Sequence, residues 1–365
     1  MTQLTARALG RESLRRQLLL SRAPLSPLQA VHALAGLNAQ HPLSPYVSLW
    51  SRIAPFSAEE LEARITAGDL LKATLLRGTL HLEAAEDYPA VWRALGPARR
   101  RAFAGFFPKE AREIDEERLV VAVKALLRSS PVPYRDLEVQ LSPAFPGHRR
   151  ESLSFAAKSL APIAQLPPSG LRSHAGPPTY GWIGAGGGAD PTEELALLLR
   201  RYLAAFGPAT AQDFRQWSGL PALAARQAIA AVKDLARLEG EAGEVLLDLQ
   251  GLPRPDEDLP APPRLLPRWD NLLLAYKDRS RVLVAEDRAR VVQRDGRVLA
   301  TFLVDGQVSG LWSTQVNARE ALLSLQALRP LPAADRERLE EEALRLVRWL
   351  EPDAPAHGVR FAQAD

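Results

Sequence analysis

Two side-chain carboxamides stand two residues apart in the stretch Gly36-Leu37-Asn38-Ala39-Gln40-His41-Pro42. Carboxamides held in place can orient a water or read a base edge, yet they cannot take a proton at neutral pH. The apolar residues Val31, Leu34 and Ala35 follow helical spacing, and Asn38 continues their stripe. Pro42 disfavours helical geometry at His41, so the pattern predicts a helix that ends near Gln40 and displays both amides there.

The rest of the composition narrows the chemistry. The chain has 365 residues, enough for two to four domains, with ordinary hydrophobic (46%) and charged (24%) fractions. It contains no Cys, which excludes disulfides, thiolate metal sites and Cys nucleophiles together. The six His, at 32, 41, 81, 148, 174 and 357, include no pair at the i, i+4 spacing of a helical zinc site, so no metal is expected. No apolar run approaches the roughly 20 residues of a membrane helix, and the first twenty residues lack a signal-peptide core. A cytoplasmic protein is expected.

Net charge is only +3, from 46 basic and 43 acidic residues, so distribution matters more than surplus. Arg93, Arg99, Arg100 and Arg101 crowd one segment. Arg264, Arg268, Lys277, Arg279, Arg281, Arg288 and Arg290 crowd another, and the tail from Glu340 is acidic. Such segregation fits a polyanion-binding face, and it equally fits Arg-rich solvated helices.

Helix starts are well marked. Ser26-Pro27-Leu28-Gln29, Ser57-Ala58-Glu59-Glu60 and Asp190-Pro191-Thr192-Glu193 read as capping boxes, and Ser44-Pro45 opens a helix with the stripe Tyr46, Leu49, Trp50, Ile53. Residues 72–83 alternate as a strand ribbon broken at Gly78. Short helices followed by a two-stranded ribbon is the winged-helix order. A second helical block spans 88–128, and a small unit from 131 has its ribbon near 163–171 and 179–183. Gly184 to Gly188 lacks the Gly-Lys-Ser/Thr of a phosphate loop and reads as a linker. The clearest helix-turn-helix lies at 208–238, where Thr210 caps, Gly219 turns and Pro221 restarts. Its second helix offers only Arg226, Gln227 and Lys233, which suits a scaffold better than a groove reader. Residues 253–267 are Pro-rich. A meander of strands is expected at 281–284, 289–292, 298–304 and 307–312, with hairpin signals at Asp295-Gly296 and Asp305-Gly306. A last helix near 333–350 turns Leu339, Leu346 and Leu350 inward. These breaks divide the chain at 1–87, 88–189, 190–260 and 261–365.

With these residues assembled, the chain resembles the AlkZ/YcaQ-like winged-helix DNA glycosylases. The resemblance rests on LNAQHPLSPYVSLWSR (37–52), LLRGTLHL (75–82), PATAQDFRQWSGL (208–220), and RWDNLLLAYKDRSRVL (268–283) with LVDGQVSGLW (303–312). It implies an α+β, mostly helical fold: tandem winged-helix units in a curved scaffold, closed by a small C-terminal antiparallel β-domain. It also implies removal of N-alkylated purines from DNA, including unhooking of interstrand crosslinks. The family's catalytic Gln-x-Gln or Gln-x-Asp motif falls on Asn38 and Gln40. Gln40 matches, whereas Asn38 is one methylene shorter than the family Gln.

The residues support that chemistry on their own terms. A purine alkylated at N7 or N3 is cationic and already a good leaving group. It needs a positioned water and stabilisation of an oxocarbenium-like sugar more than it needs a general acid. Amides can supply both, but not the factor of about 10²–10⁴ of a general base. Asn38 and Gln40 are therefore the catalytic candidates. Asn38 has a second reading, as a helix-end residue that satisfies local backbone groups.

His41, Arg52, Arg77, His81, Lys277, Arg279 and Arg281 are the candidates for DNA contact. Of these, His41 also suits a plain helix-end cover, and His81 is expected to face a concave surface or solvent. Asp278 and Arg279 equally suit an internal pair. Trp50, Trp92, Trp217, Trp269 and Trp312 read as core. No Lys adjoins the motif, so no Schiff base and no lyase activity are expected. The expected partner is double-stranded DNA with alkylated bases, met by a monomer without metal or organic cofactor. A non-catalytic winged-helix DNA-binding protein, acting as lesion sensor or transcriptional regulator, is the alternative, and a protein-docking module is a third.

Overall fold

Ser26 starts the Pro27–Ala33 helix through a reciprocal capping box: its hydroxyl accepts from Gln29 N at 3.3 Å, and Gln29 Oε1 accepts from Ser26 N at 3.0 Å. The helix then stops earlier than the periodicity predicts. Gly36 N donates to Val31 O at 3.0 Å and Ala35 N to His32 O at 3.1 Å, the paired closure of a Schellman end. Ala35 takes the left-handed position (φ 54°) and Gly36 follows at φ 82°. Leu37–Asn38 is therefore strand β1, not helix. The expectation failed because an alanine occupies the position where glycine usually signals the stop.

In this computed structural model, residues 3–174, 176–188, 190–253 and 256–362 are described. Strands β2 (Leu70–Thr74) and β3 (Leu80–Ala84) form the expected ribbon, joined by a tight turn at Leu76–Gly78. The second ribbon, β5 (Ile163–Gln165) and β6 (Thr179–Trp182), joins the first edge to edge, and β4 (Val132–Pro133) pairs with β6. Lys72 faces Gln165 and Ala73 faces Ala164 across that seam. One six-stranded sheet, ordered β1-β3-β2-β5-β6-β4, thus draws on residues 37–84 and 132–182 together.

The Pro191–Phe206 helix leads into a helix pair, Ala211–Ser218 and Ala222–Ala231, then a hairpin of β7 (Leu235–Glu239) and β8 (Val245–Leu249). Thr210 and Asp213 form the second reciprocal capping box. Tyr202, Phe206, Phe214 and Trp217 bury their rings together, with Tyr202 and Trp217 centroids 5.0 Å apart. Trp217 is core, as expected.

The C-terminal sheet is β13-β12-β11-β10-β9, with β9 at Arg264–Leu266, β10 at Thr301–Val304, β11 at Gln307–Val316, β12 at Ala321–Ala327 and β13 at His357–Ala362. Asp305 (φ 46°) and Gly306 (φ 78°) make the hairpin that their dipeptide predicts. Two expectations need correction. Residues 281–284 are not a strand and Arg288–Val291 is a short helix: Val282, Leu283 and Val291 enter the core as isolated pegs rather than along a ladder. The sheet is also not wholly antiparallel, because β13 returns after the Ala333–Leu350 helix to pair parallel with β12. Leu339, Leu346 and Leu350 of that helix are buried. Among the described residues, no helix is long and apolar enough to cross a membrane.

Candidate active site

Asn38 and Gln40 leave the end of β1 in different environments. Asn38 lies opposite His81 of β3 and is only 5% exposed. Its Oδ1 accepts from Gln40 N at 3.0 Å, a local turn that fixes where Gln40 starts. Gln40 is exposed. Ala39 N donates to Leu80 O at 2.8 Å, and Gln40 Oε1 then accepts from Leu80 N at 3.1 Å. The Gln40 side chain thereby replaces the next rung of the ladder. Among the described residues, neither Asn38 Nδ2 nor Gln40 Nε2 donates to the protein.

Support for this strand end comes from far along the chain. Asn271 Oδ1 accepts from Asn38 N at 3.2 Å, and Asn271 Nδ2 donates to Gly36 O at 2.6 Å. Asn271 sits in the first turn of the Asn271–Leu274 helix, capped by Asp270. Asp270 also pairs with Arg52 through two hydrogen bonds, at 2.9 and 2.7 Å, with both side chains 0% exposed. Trp269, just before, adopts φ 54°. A bulky residue in the left-handed region is strained and persists where the surroundings over-determine it. Ala35 precedes the strand that carries Asn38, and Trp269 precedes the Asp270–Asn271 support, so both left-handed residues adjoin the structure that holds the motif.

Electrostatics leave the motif without a titratable base of ordinary strength. Burial, then the charges of Arg268 and Lys72, lower the His41 pKa, and His41 Nδ1 accepts from Leu43 N at 3.3 Å. Burial likewise lowers the Lys72 ammonium. His41 and the exposed Arg268 border a hollow of about 150 Å³, walled by Trp312, Ser313 and Thr314 of β11. Burial pushes His81 down to about 3, with Arg77 adding to the effect, so it is neutral at pH 7.

The other candidates divide by burial. Three DNA-contact expectations need correction. Arg52 is sealed against Asp270, with no open side for a phosphate. His81 is 1% exposed, its Nδ1 on Thr79 O at 3.0 Å, because the edge position was already covered by β1. Arg281 is buried over the Tyr276 ring at 4.1 Å and donates to Pro208 O at 2.9 Å. Arg279 is half-buried and donates to Leu273 O at 2.6 Å, and Asp278 instead caps Ser280, so the Asp278–Arg279 pair does not form. Gln40 and Lys277 are exposed and His41 is half-buried. Arg77 and Lys277, 200 residues apart by number, converge on one surface groove.

Asn271 was missed, and Arg268 was read only as one of a basic cluster. The helix start that Asp270 marks was the one sequence signal for Asn271. As for metals, His32, Glu86 and Asp87 bring ligand atoms within 4.8 Å of one another, but His32 already pairs with Asp87 at 2.7 Å and lies outside the motif.

Comparison with known proteins places the chain in a family. The family described as DNA glycosylase AlkZ-like covers residues 31–349. An interstrand DNA cross-link repair glycosylase of Streptomyces sahachiroi is 26% identical, across 92% of this chain and 94% of that protein. The solved structure of the Streptomyces sahachiroi DNA glycosylase AlkZ superposes with a TM-score of 0.79 at 21% identity, covering 99% of this chain and 100% of that one. The chain belongs to the AlkZ-like DNA glycosylase family, and it is a DNA glycosylase.

Proposed function

We propose that this glycosylase hydrolyses the N-glycosidic bond of cationic, N-alkylated purines in double-stranded DNA, with Gln40 as the catalytic residue and Asn38 as its positioning residue. The observation that carries this reading is the exposed Gln40 carboxamide, locked to Leu80 N at 3.1 Å. Its Oε1 keeps a second lone pair for a water, and its Nε2 is free to donate. Water adds to C1′ as the C1′–N bond electrons leave with the purine, whose positive charge they neutralise. The water's proton passes to solvent. Such a leaving group needs neither a strong base nor a metal or organic cofactor.

Helix pairs followed by ribbons support reading 1–87, 88–189 and 190–260 as winged-helix units and 261–365 as a β-domain. A relative named for interstrand cross-link repair supports crosslinks as further substrates in this reading. The enzyme acts as a cytoplasmic monomer in this reading. DNA carrying N7-methylguanine tests it. Wild type releases the base and leaves abasic sites, and Gln40→Ala slows release by on the order of 10²-fold. Release at the wild-type rate by Gln40→Ala would overturn the assignment.

A further inference from the structure

Two glycines bring two distant turns together. A Cβ at Gly78 (φ 73°) would meet Ala102 Cβ at 2.8 Å, and one at Gly219 (φ 76°) would meet Arg77 Cα at 3.3 Å. The Leu76–Gly78 turn is thus wedged between the Gly96–Phe106 helix and the end of the Ala211–Ser218 helix, where Arg77 donates to Trp217 O. The wedge floors a groove of about 370 Å³. Arg77, Arg101, Arg215 and Lys277 reach it from four segments, joined by Gln212 and Gln216.

No carboxylate lines this groove, and among the described residues none of its four cations forms an ion pair. Arg101, Arg215 and Lys277 are exposed. Burial, then the nearby Arg279, lower the Arg77 guanidinium to about 10, which leaves it charged at neutral pH. Like charges gathered without a counter-ion repel one another, so the fold holds them together at a cost that an anion would relieve. Gln212 and Gln216 lie one helical turn apart with Arg215 between them, adding amide donors to forked guanidinium donors.

We propose that this groove seats a backbone phosphate of DNA and so sets the register of the bound strand relative to Gln40. The link is the shared turn. Leu80, whose N–H holds the Gln40 amide, lies three residues beyond Arg77. Three residues reach at most about 11 Å, and one strand of duplex rises about 3.4 Å per nucleotide. With about 6 Å more for the Arg77 side chain, a phosphate in the groove lies within about five nucleotides, half a helical turn, of the base at Gln40. Arg, Lys and Gln side chains are common phosphate partners and carry register rather than sequence. An acidic protein segment would match the charge but not the adjacency to Gln40.

The assignment of a base to Gln40 rests on the proposed function, but the groove itself can be tested on undamaged DNA. Fluorescence anisotropy of a labelled undamaged duplex, titrated over a salt series, compares wild type with R101A/R215A. Both residues are exposed, so the double variant should melt like wild type. It should bind about 10- to 100-fold more weakly at low salt, with a log K against log salt slope shallower by about 1, the share of the one phosphate that the groove seats. Arg112→Ala, exposed and outside the groove, should change neither. Ethylating one phosphate within about five nucleotides of an N7-methylguanine should block wild-type binding. An unchanged slope in R101A/R215A, no interference from ethylation, or displacement of DNA from wild type by polyglutamate at equal charge would overturn the proposal. A lowered slope with no base release leaves the groove intact while the base-excision reading falls. Release with an unchanged slope does the reverse.

Discussion

Asn271 grips the strand that carries Asn38 from both sides, accepting from Asn38 N and donating to Gly36 O. The two backbone groups are buried, and each unsatisfied one costs about 1–3 kcal/mol. Asn271→Ala should therefore lower the melting temperature and slow single-turnover excision, because Gln40 starts from this strand. Asn271→Asp keeps the acceptor but sets a carboxylate oxygen against Gly36 O, so it should destabilise at least as much as Asn271→Ala. A melting temperature equal to wild type in Asn271→Ala would refute the clamp.

Replacing Asn38 by Gln should not speed the enzyme. Asn38 is buried opposite His81, and its carbonyl is the acceptor for Gln40 N. An added methylene overpacks this site by about 1–3 kcal/mol and moves the anchor of Gln40. Asn38→Gln is expected to be less stable and slower. Faster release of N7-methylguanine by this variant would show that Asn38 acts on substrate directly.

Arg52 and Asp270 form a fully buried pair. Removing either partner strands the other charge and should destabilise by about 3–5 kcal/mol. Denaturant unfolding of Arg52→Ala, Asp270→Ala and the double variant should show strong coupling. The salt dependence of DNA binding should stay as in wild type for whatever fraction remains folded, since Arg52 meets no solvent.

His81 makes the fold acid-sensitive. Its folded pKa is lowered from 6.5 to about 3 by burial, so the unfolded chain binds the extra proton between those values. Stability is therefore full above pH 6.5 and declines as pH falls. Between pH 7 and pH 5 this group alone should remove about 2 kcal/mol. Unfolding free energies measured at the two pH values should differ by that amount in wild type and by less in His81→Gln. Equal pH dependence in both proteins would contradict the assignment.

Local signals in the sequence held. Ser26 and Thr210 cap where their side chains predict, and Asp305-Gly306 turns its hairpin, because each depends on neighbours within a few residues. The strand at Asn38 was hidden because Ala35 ends the helix without a glycine and because its apolar stripe fits either element. Burial of basic residues was hidden for a different reason. Arg52 meets Asp270 across 218 positions and Arg281 meets Pro208 across 73, so a run of arginines in the sequence does not become a run on the surface. Arg99, counted in one basic cluster, lies buried over the Trp92 ring at 4.0 Å. Gln40 was legible as a residue type, but its orientation depends on Leu80, which no local pattern marks, and its support on Asn271, marked only by the helix start at Asp270.

The seam between β2 and β5 has a mechanical consequence. Because backbone pairing there welds residues 37–84 to 132–182, those parts cannot open and shut like jaws without tearing the sheet. A stiff cradle of this kind leaves the adjustment to the double helix. Damage that softens stacking or pairing would lower the work of fitting it, so a duplex held here would be judged by its pliability.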